Sequence, residues 1–122
     1  MLSRENLKKY CEGKPGSEGS YPFGPGVLVI KVMGKMFALI PDDDALTINL
    51  KCDPALAEIL RQNYEAVQPG YHMDKRHWNT VSIDGSIPDE DIIDMIEQSY
   101  ALVVKGLKKA DREALAKLSE GE

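Results

Sequence analysis

The chain has 122 residues and a mass of 13.5 kDa, which is the size of one domain with one hydrophobic core. Hydrophobic residues make up 43% and charged residues 29%, which are ordinary globular values and exclude wholesale disorder. The formal net charge of -5 excludes a surface that is a nucleic-acid footprint all over, so any phosphate-binding surface must be a local patch.

Three features of the sequence bear on where the protein works. The longest apolar run, residues 27–40, is interrupted by charged residues and glycine and falls short of the roughly 18 residues that cross a bilayer, so we expect no membrane contact. The first ten residues, MLSRENLKKY, lack the apolar stretch of a signal peptide. Cys11 and Cys52 have no close-spaced partner, which predicts two buried thiols in a cytoplasmic protein.

A helix and a long loop are predicted at the start of the chain. Ser3 is the expected N-cap of the first helix, which should stop at Gly13 because Pro15 follows closely. Residues 13–26 contain five glycines and three prolines, which predicts a loop. Tyr21 and Phe23 are expected to pin this loop to the core.

A β-hairpin and a third strand should follow. Two apolar runs, VLVIKVM and MFALI, flank Gly34-Lys35 as in a hairpin with a type II′ turn. After an acidic turn at residues 42–44, apolar and polar residues alternate from Leu46 to Cys52, which indicates a half-buried strand. Such a sheet packs one face on the core, so its open face is a candidate binding surface.

The second half of the chain predicts two helices, two strands and a tail. Asp53 and Pro54 should begin a second helix that ends near Tyr64. Strands are expected at residues 71–73 and 78–84, with a charged turn between them. Ser86 has capping-box spacing to Asp89 for a third helix that closes at residues 105–106.

One domain should span residues 1–122, with residues 108–122 as a frayed helical tail. Its core is predicted from the apolar periodicity of the strands and helices. The expected members are Leu28, Ile30 and Val32 or their neighbours of opposite parity, with Ile48, Leu50, Ile59, Ile92 and Ile96.

Neither catalytic motifs nor convincing metal ligands stand out. The motifs of P-loop, dinucleotide-binding, serine-hydrolase and HExxH zinc proteins are all missing, which predicts no catalytic residue and no cofactor. His72 and His77 flank Asp74, but their spacing fits neither one helical nor one strand face, so two loop histidines are the simpler interpretation. The consecutive acids at 42–44 cannot all point at one cation and are typical of a solvated turn. We therefore predict no metal site.

Residues 72–80 combine two cations, two imidazoles, an indole and an amide on a predicted hairpin. Lys75 and Arg76 could neutralise phosphates, Trp78 could stack on a base, and Asn79 could pair with a base edge. The alternative is structural, with Trp78 closing one end of the core and the cations solvated at a turn tip.

Strand alternation bears on this choice. Val81 and Ile83 should face the core, which leaves Trp78, Thr80 and Ser82 on the other face of the sheet. An exposed tryptophan there would indicate a binding partner.

Three stretches of the chain together resemble the MmcQ/YjbR family of small bacterial proteins. They are SYPFGPGVLVIKVMGKMFAL, PGYHMDKRHWNTVSIDGSIPDE and SYALVVKGLKK, and YHMDKRHWNTV is the most distinctive part. The resemblance covers nearly the whole chain. It implies an α+β fold like that of frataxin and CyaY, with an antiparallel sheet and helices packed on one face. It also implies DNA binding through a double-wing motif, and with the missing catalytic motifs this predicts a non-enzymatic DNA-binding protein.

The wings would be the hairpins at Gly34-Lys35 and at residues 74–77. The acidic tip at residues 42–44 would repel phosphates, so only some hairpins can contact DNA. Binding should be weak and salt-sensitive, because few phosphates can be neutralised and the net charge opposes approach. The residues expected to bind nucleic acid or an anion are Lys31, Lys35, Lys75, Arg76, His77, Trp78 and Asn79.

Other functions stay open. A module that binds a small anion or a protein partner is the first alternative, and an enzyme acting through Tyr71, His72 or His77 is the second. Iron binding of the frataxin kind is not expected, because basic residues interrupt the acids of the first helix, RENLKKYCE.

Overall fold

The computed structural model of the chain describes residues 1–70 and 73–120. The elements in chain order are α1 (Arg4–Glu12), β1 (Ser17–Ser20), β2 (Val27–Val32), β3 (Lys35–Pro41), β4 (Thr47–Lys51), α2 (Pro54–Asn63), β5 (Val67–Pro69), β6 (Trp78–Ser82), α3 (Asp89–Lys105) and α4 (Lys109–Glu120). The strands form one antiparallel sheet in the order β1-β2-β3-β4-β6-β5. This is the predicted α+β fold.

One face of the sheet packs against the helices and forms the main core. Leu7 of α1 and Ile96 of α3 are fully buried against Ile30 and Ile48 of the sheet. The predicted core is confirmed at Leu28, Ile30, Val32, Ile48, Leu50, Ile92 and Ile96. It is wrong at Ile59, which is 51% exposed because α2 turns the small side chain of Ala57 inward instead.

The helix caps follow the sequence in two of three predicted cases. Ser3 and Asn6 exchange two 3.0 Å hydrogen bonds at the start of α1, which ends at Gly13. Asp53 caps α2 as expected. The capping box predicted for α3 is wrong, because Pro88 occupies the N-cap and Ser86 instead donates its hydroxyl to Asp84.

The predicted loop at residues 13–26 contains an edge strand. The φ of +70° at Gly16 precedes β1, which pairs with β2 from Ser17 to Ser20. The expectation that aromatic residues pin this loop to the core is wrong, since Tyr21 is 52% and Phe23 68% exposed.

The β2–β3 hairpin is confirmed, but its turn lies one residue earlier than predicted. Val32 pairs with Lys35, so Met33 and Gly34 form the turn, with φ values of 48° and 84°. Positive φ at both central residues is typical of a type I′ turn rather than type II′. A bulge at Ile30/Lys31 then turns Phe37, Ala38 and Ile40 toward the core and leaves Met36 and Leu39 on the second face.

The remaining elements differ in detail from prediction. Of the strand expected at residues 71–73, residues 71 and 72 lie outside the described part of the chain. The strand that precedes β6 and pairs with its outer edge is β5, Val67–Pro69. The tail forms α4, which is anchored by Leu115 at 5% exposure while Leu118 is 50% exposed. Within the described residues, no helix has the length and apolar character to span a bilayer.

Candidate functional site

The second face of the sheet carries a small apolar cluster beside a polar row. Val29, Leu39 and Trp78 form this cluster, and Trp78 is only 8% exposed. Trp78 therefore lies on the face that strand parity predicts, but it is buried in a cluster of its own. The indole is not an exposed platform for stacking on a base.

The segment before β6 encloses Trp78 tightly. Gly70 donates its N–H to the Trp78 carbonyl at 2.8 Å. A Cβ at Gly70 would lie 2.8 Å from the Trp78 Cβ and 3.1 Å from the Met73 Cβ. Contacts this short leave room only for glycine, so backbone packing at residue 70 helps to bury the tryptophan.

Asn79 points to the helical side of β6 and is 2% exposed. Its Oδ1 accepts a hydrogen bond from Arg61 Nε at 2.7 Å. Arg61 Nη2 also donates to the carbonyl oxygens of Lys75 and Trp78. Asn79 is thus occupied inside the protein, and Arg61 ties the turn to α2. The sequence did not indicate this role of Arg61, because its only distinguishing feature there is being the basic residue in the last turn of α2.

The turn at residues 74–77 holds its cations outward. Asp74 closes it, since its Oδ1 accepts from the Arg76 N–H at 3.0 Å and its carbonyl oxygen accepts from Trp78 N–H at 3.0 Å. Lys75 and Arg76 are exposed and line a surface concavity of about 410 Å³ beside the start of α2. His77 is half-buried, with Nδ1 3.8 Å from Asp74 Oδ2.

Strand register gathers further lysines at the same end of the sheet. Lys51 pairs with Trp78, the first residue after the turn, while Lys31 and Lys35 stand where β2 and β3 meet in their hairpin. We call Lys31, Lys35, Lys51, Lys75 and Arg76 the cationic end. Sequence reasoning missed Lys51 as a site residue. Its alternation with Thr47 and Asn49 predicts the face of the sheet on which it lies. Its position next to Trp78 depends on the β4–β6 pairing, which the sequence does not show.

The opposite end of the sheet is acidic. Val27 pairs with Pro41 there, and Thr47 pairs with Ser82. The exposed acids at residues 42–44 follow directly after β3. The cations therefore gather at one end of the sheet, where Glu18 pairs with Lys31 and Asp74 lies in the turn, and the three consecutive acids lie at the other end.

A groove of about 900 Å³ runs over the second face of the sheet. We call it the sheet groove, and its described lining residues are Phe23, Gly26, Val27, Met36, Leu39, Pro41, Asp43, Thr47, Asn49, Met73, Asp74 and Thr80. Across the β4–β6 pair, Thr80 Oγ1 donates to Asn49 Oδ1 at 2.5 Å. The open face is thus partly apolar and partly polar, whereas the alternation from Leu46 to Cys52 predicts only polar side chains on this face of β4.

The cysteines are free and buried, as predicted. Burial raises the pKa of the Cys11 thiol to about 12 and also raises the pKa of Cys52. Over residues 1–70 and 73–120, no cluster of three or more His, Cys, Asp or Glu side chains is placed to hold a metal ion. Tyr71 and His72, considered above for catalysis or metal binding, lie outside the described residues.

Known proteins resemble this chain along most of its length. A family model named YjbR matches residues 12–102. The uncharacterised protein YjbR of Escherichia coli K12 is 38% identical over 118 residues, which cover 96% of this chain and 100% of that protein. The uncharacterised protein YyaQ of Bacillus subtilis is 32% identical and covers 84% of this chain and 98% of its own length.

Solved structures agree with the fold. The crystal structure of Deinococcus radiodurans DR2400, with a domain of family DUF419, has a TM-score of 0.87 at 39% identity and covers 95% of this chain and 89% of its own. A crystal structure of a Pseudomonas syringae protein has a TM-score of 0.73 at 28% identity, covering 83% of this chain and 98% of its own. The chain therefore belongs to the YjbR family.

Proposed function

We propose that the protein is a non-enzymatic binding protein that holds the phosphate backbone of DNA at the cationic end. The observation that carries this proposal is the strand register, which brings Lys31, Lys35 and Lys51 to the end of the sheet occupied by the Lys75-Arg76 turn. Acids follow β3 at the other end. A duplex approaching the cationic end meets a positive patch even though the formal net charge is -5.

The patch supports contact with the backbone rather than with base edges. Trp78 and Asn79 are 8% and 2% exposed, so the proposal assigns them to support of the turn. Lysine and arginine contacts to phosphate fix position and carry no sequence information directly. His77 flanks the patch, half-buried next to Asp74. We therefore propose binding without strong sequence preference.

The non-enzymatic part of the proposal rests on the two cysteine thiols, which are buried. A thiol nucleophile acts as the thiolate, and burial holds the pKa of Cys11 at about 12, far above neutral pH. Two free, buried thiols also fit a reducing cytoplasm, which the proposal includes as the site of action.

A small anion is the second candidate ligand. Lys75, Arg76 and Arg61 border one concavity of about 410 Å³, a size that suits a phosphate-bearing small molecule. An arginine guanidinium can donate two parallel hydrogen bonds to the oxygens of one phosphate. Arg61 already donates to Asn79 and to the carbonyl oxygens of the turn, so Arg76 is the arginine with more donors to offer.

The test is a titration of a labelled duplex of about 20 base pairs by fluorescence anisotropy, starting near 50 mM salt, where phosphate contacts are strong. We expect log K to fall with log salt with a slope no steeper than about −4.5, since five cations can neutralise at most five phosphates. Lys75→Ala, Arg76→Ala and Lys51→Ala should each weaken binding and flatten the slope by about 0.9.

Lys9→Ala is the matched control, because Lys9 is an exposed lysine on α1 whose recorded partner is Glu5 at 4.0 Å. It should leave the slope unchanged. Absence of binding near about 50 mM salt would overturn the DNA proposal. Calorimetric binding of pyrophosphate that is lost in Arg76→Ala would then favour the small anion.

A further inference from the structure

The sheet groove differs from the cationic end in shape and in charge. Its volume of about 900 Å³ lies in the range of roughly 300–1,000 Å³ that small-molecule sites occupy. The β2–β3 side of its floor is apolar, with Val27, Met36 and Leu39, and the β4–β6 side is polar. A ligand that fits both halves must have an apolar body with a polar group at one side.

The charge of the groove selects the sign of that polar group. Asp43 and Asp74 are the ionisable residues among its described lining, and both are carboxylates. Arg4 lies outside this lining and keeps its positive charge, while its guanidinium donates to the backbone oxygens of Pro41 and Asp43, at 2.5 and 2.8 Å, rather than to the Asp43 carboxylate. Asp74 accepts from the Arg76 backbone N–H, with His77 Nδ1 3.8 Å away. A cation is favoured in the groove, and a phosphate is not.

Asn49 supplies a buried polar group on the floor of the groove. It is 6% exposed, and its Oδ1 already accepts the hydroxyl hydrogen of Thr80. The amide N–H₂ of Asn49 can donate a hydrogen bond to a ligand. The ligand should carry a hydrogen-bond acceptor at this point.

The wall residues suit a cation with an apolar body. Phe23 is 68% exposed beside the groove, and an aromatic face attracts an ammonium group. Met36 and Met73 present flexible, polarizable thioethers that adapt to varied ligand shapes. A ligand bound against Phe23 would account for the exposure of this side chain, whose loop does not pack on the core.

We propose that the sheet groove binds a small organic amine. Its apolar body lies on Val27, Met36 and Leu39, its ammonium group is attracted by Asp43, and an acceptor atom takes the hydrogen bond of Asn49. This site is separate from the cationic end, so the two proposals stand or fall independently.

The test compares 2-(4-methoxyphenyl)ethylamine with 3-(4-methoxyphenyl)propionate, which share an apolar body with an ether oxygen as acceptor and carry opposite charges. In amide-resolved NMR titrations, the amine should shift the resonances of Leu39, Asn49 and Thr80 in a saturable way. The carboxylate should bind at least about fivefold more weakly, the factor expected for one screened charge contact. Equal binding of both compounds, lack of saturation, or shifts confined to other residues would overturn the proposal.

Variants locate the site. Asp43→Asn should weaken amine binding by about fivefold, while Asp74→Asn, at the opposite end of the sheet, and Asp44→Asn, one residue outside the lining, should change it much less. Thr47→Arg places a bulky cation in the groove and should abolish binding while the spectrum stays dispersed. Lys75→Ala should not weaken the amine, which separates this site from the DNA surface. Unchanged amine binding in Thr47→Arg would also overturn the proposal.

Discussion

Arg61 Nε lies 2.7 Å from Asn79 Oδ1 and donates a hydrogen bond to this buried amide. The same guanidinium, through Nη2, reaches the carbonyl oxygens of Lys75 and Trp78. The Arg61 side chain of α2 therefore fixes both the first two residues of β6 and the turn that presents the exposed cations. The position of the cationic end depends on a contact between a helix and a strand.

Replacing Arg61 by leucine should lower the free energy of unfolding by about 1–3 kcal/mol, because the buried Asn79 oxygen loses its donor. Urea unfolding measures this loss. Lys75→Ala is the control, since its side chain is exposed, and it should stay within about 0.5 kcal/mol. An equally small effect for Arg61→Leu would show that the hydrogen bonds do not support the turn.

Trp78→Ala should cost about 3–5 kcal/mol of stability, the usual loss for truncating a buried large aromatic residue. A side chain used only for stacking on a ligand would cost far less. Phe23→Ala provides the comparison, because Phe23 is 68% exposed and its removal should change stability by no more than about 0.5 kcal/mol. Denaturant unfolding of both variants distinguishes a buried indole from an exposed one.

Gly70→Ala should destabilise the fold by about 1–3 kcal/mol, because the added methyl group would lie 2.8 Å from the Trp78 Cβ and force the backbone apart. Gly26→Ala is a matched control, since a Cβ there meets nothing within 4 Å. Thermal unfolding of the two variants should separate them clearly. Similar melting temperatures would mean that the segment around Gly70 yields without cost.

Sequence patterns predicted the fold where apolar periodicity is strong. Of the two parities that the sequence leaves open for β2, the one that faces the main core is Leu28, Ile30 and Val32, and Ser3 and Gly13 bounded the first helix. The edge strand β1 escaped prediction because its residues, SEGS, carry no apolar signal. Its backbone is ordered by pairing with β2, which is a non-local cause.

The candidate site was harder to predict than the fold. Parity gave the face of Trp78 correctly, but its burial depends on Gly70 and Met73, which fold back over it. Asn79 and Arg61 meet because α2 lies beside β6, a contact that neither local sequence reveals. Sequence spacing therefore identified the charged residues of the surface. It did not show that Asn79 and Arg61 are hydrogen-bonded to each other inside the protein.

A three-residue cluster joins α1, the following turn and α3, and it should make stability depend on pH. Glu97 accepts Lys14 Nζ on Oε1 at 2.7 Å and the Tyr10 hydroxyl on Oε2. Burial alone would raise the pKa of Glu97, but the hydrogen bonds from Lys14 and Tyr10 outweigh it and hold that pKa below its ordinary value. The charged carboxylate is thus favoured by folding.

The sign of the effect follows from this lowered pKa. The stabilisation by Glu97 is present above its unfolded pKa of about 4.3 and is lost as the pH falls through the lower folded value. Glu97→Gln should therefore be less stable than the natural protein at neutral pH, and the difference should shrink toward about pH 3. Urea unfolding at both pH values measures it. The control is Glu65→Gln, which removes an exposed carboxylate and should leave a small difference at either pH. A Glu97→Gln deficit that persists undiminished in acid would mean that packing, rather than the charge of Glu97, holds α1 to α3.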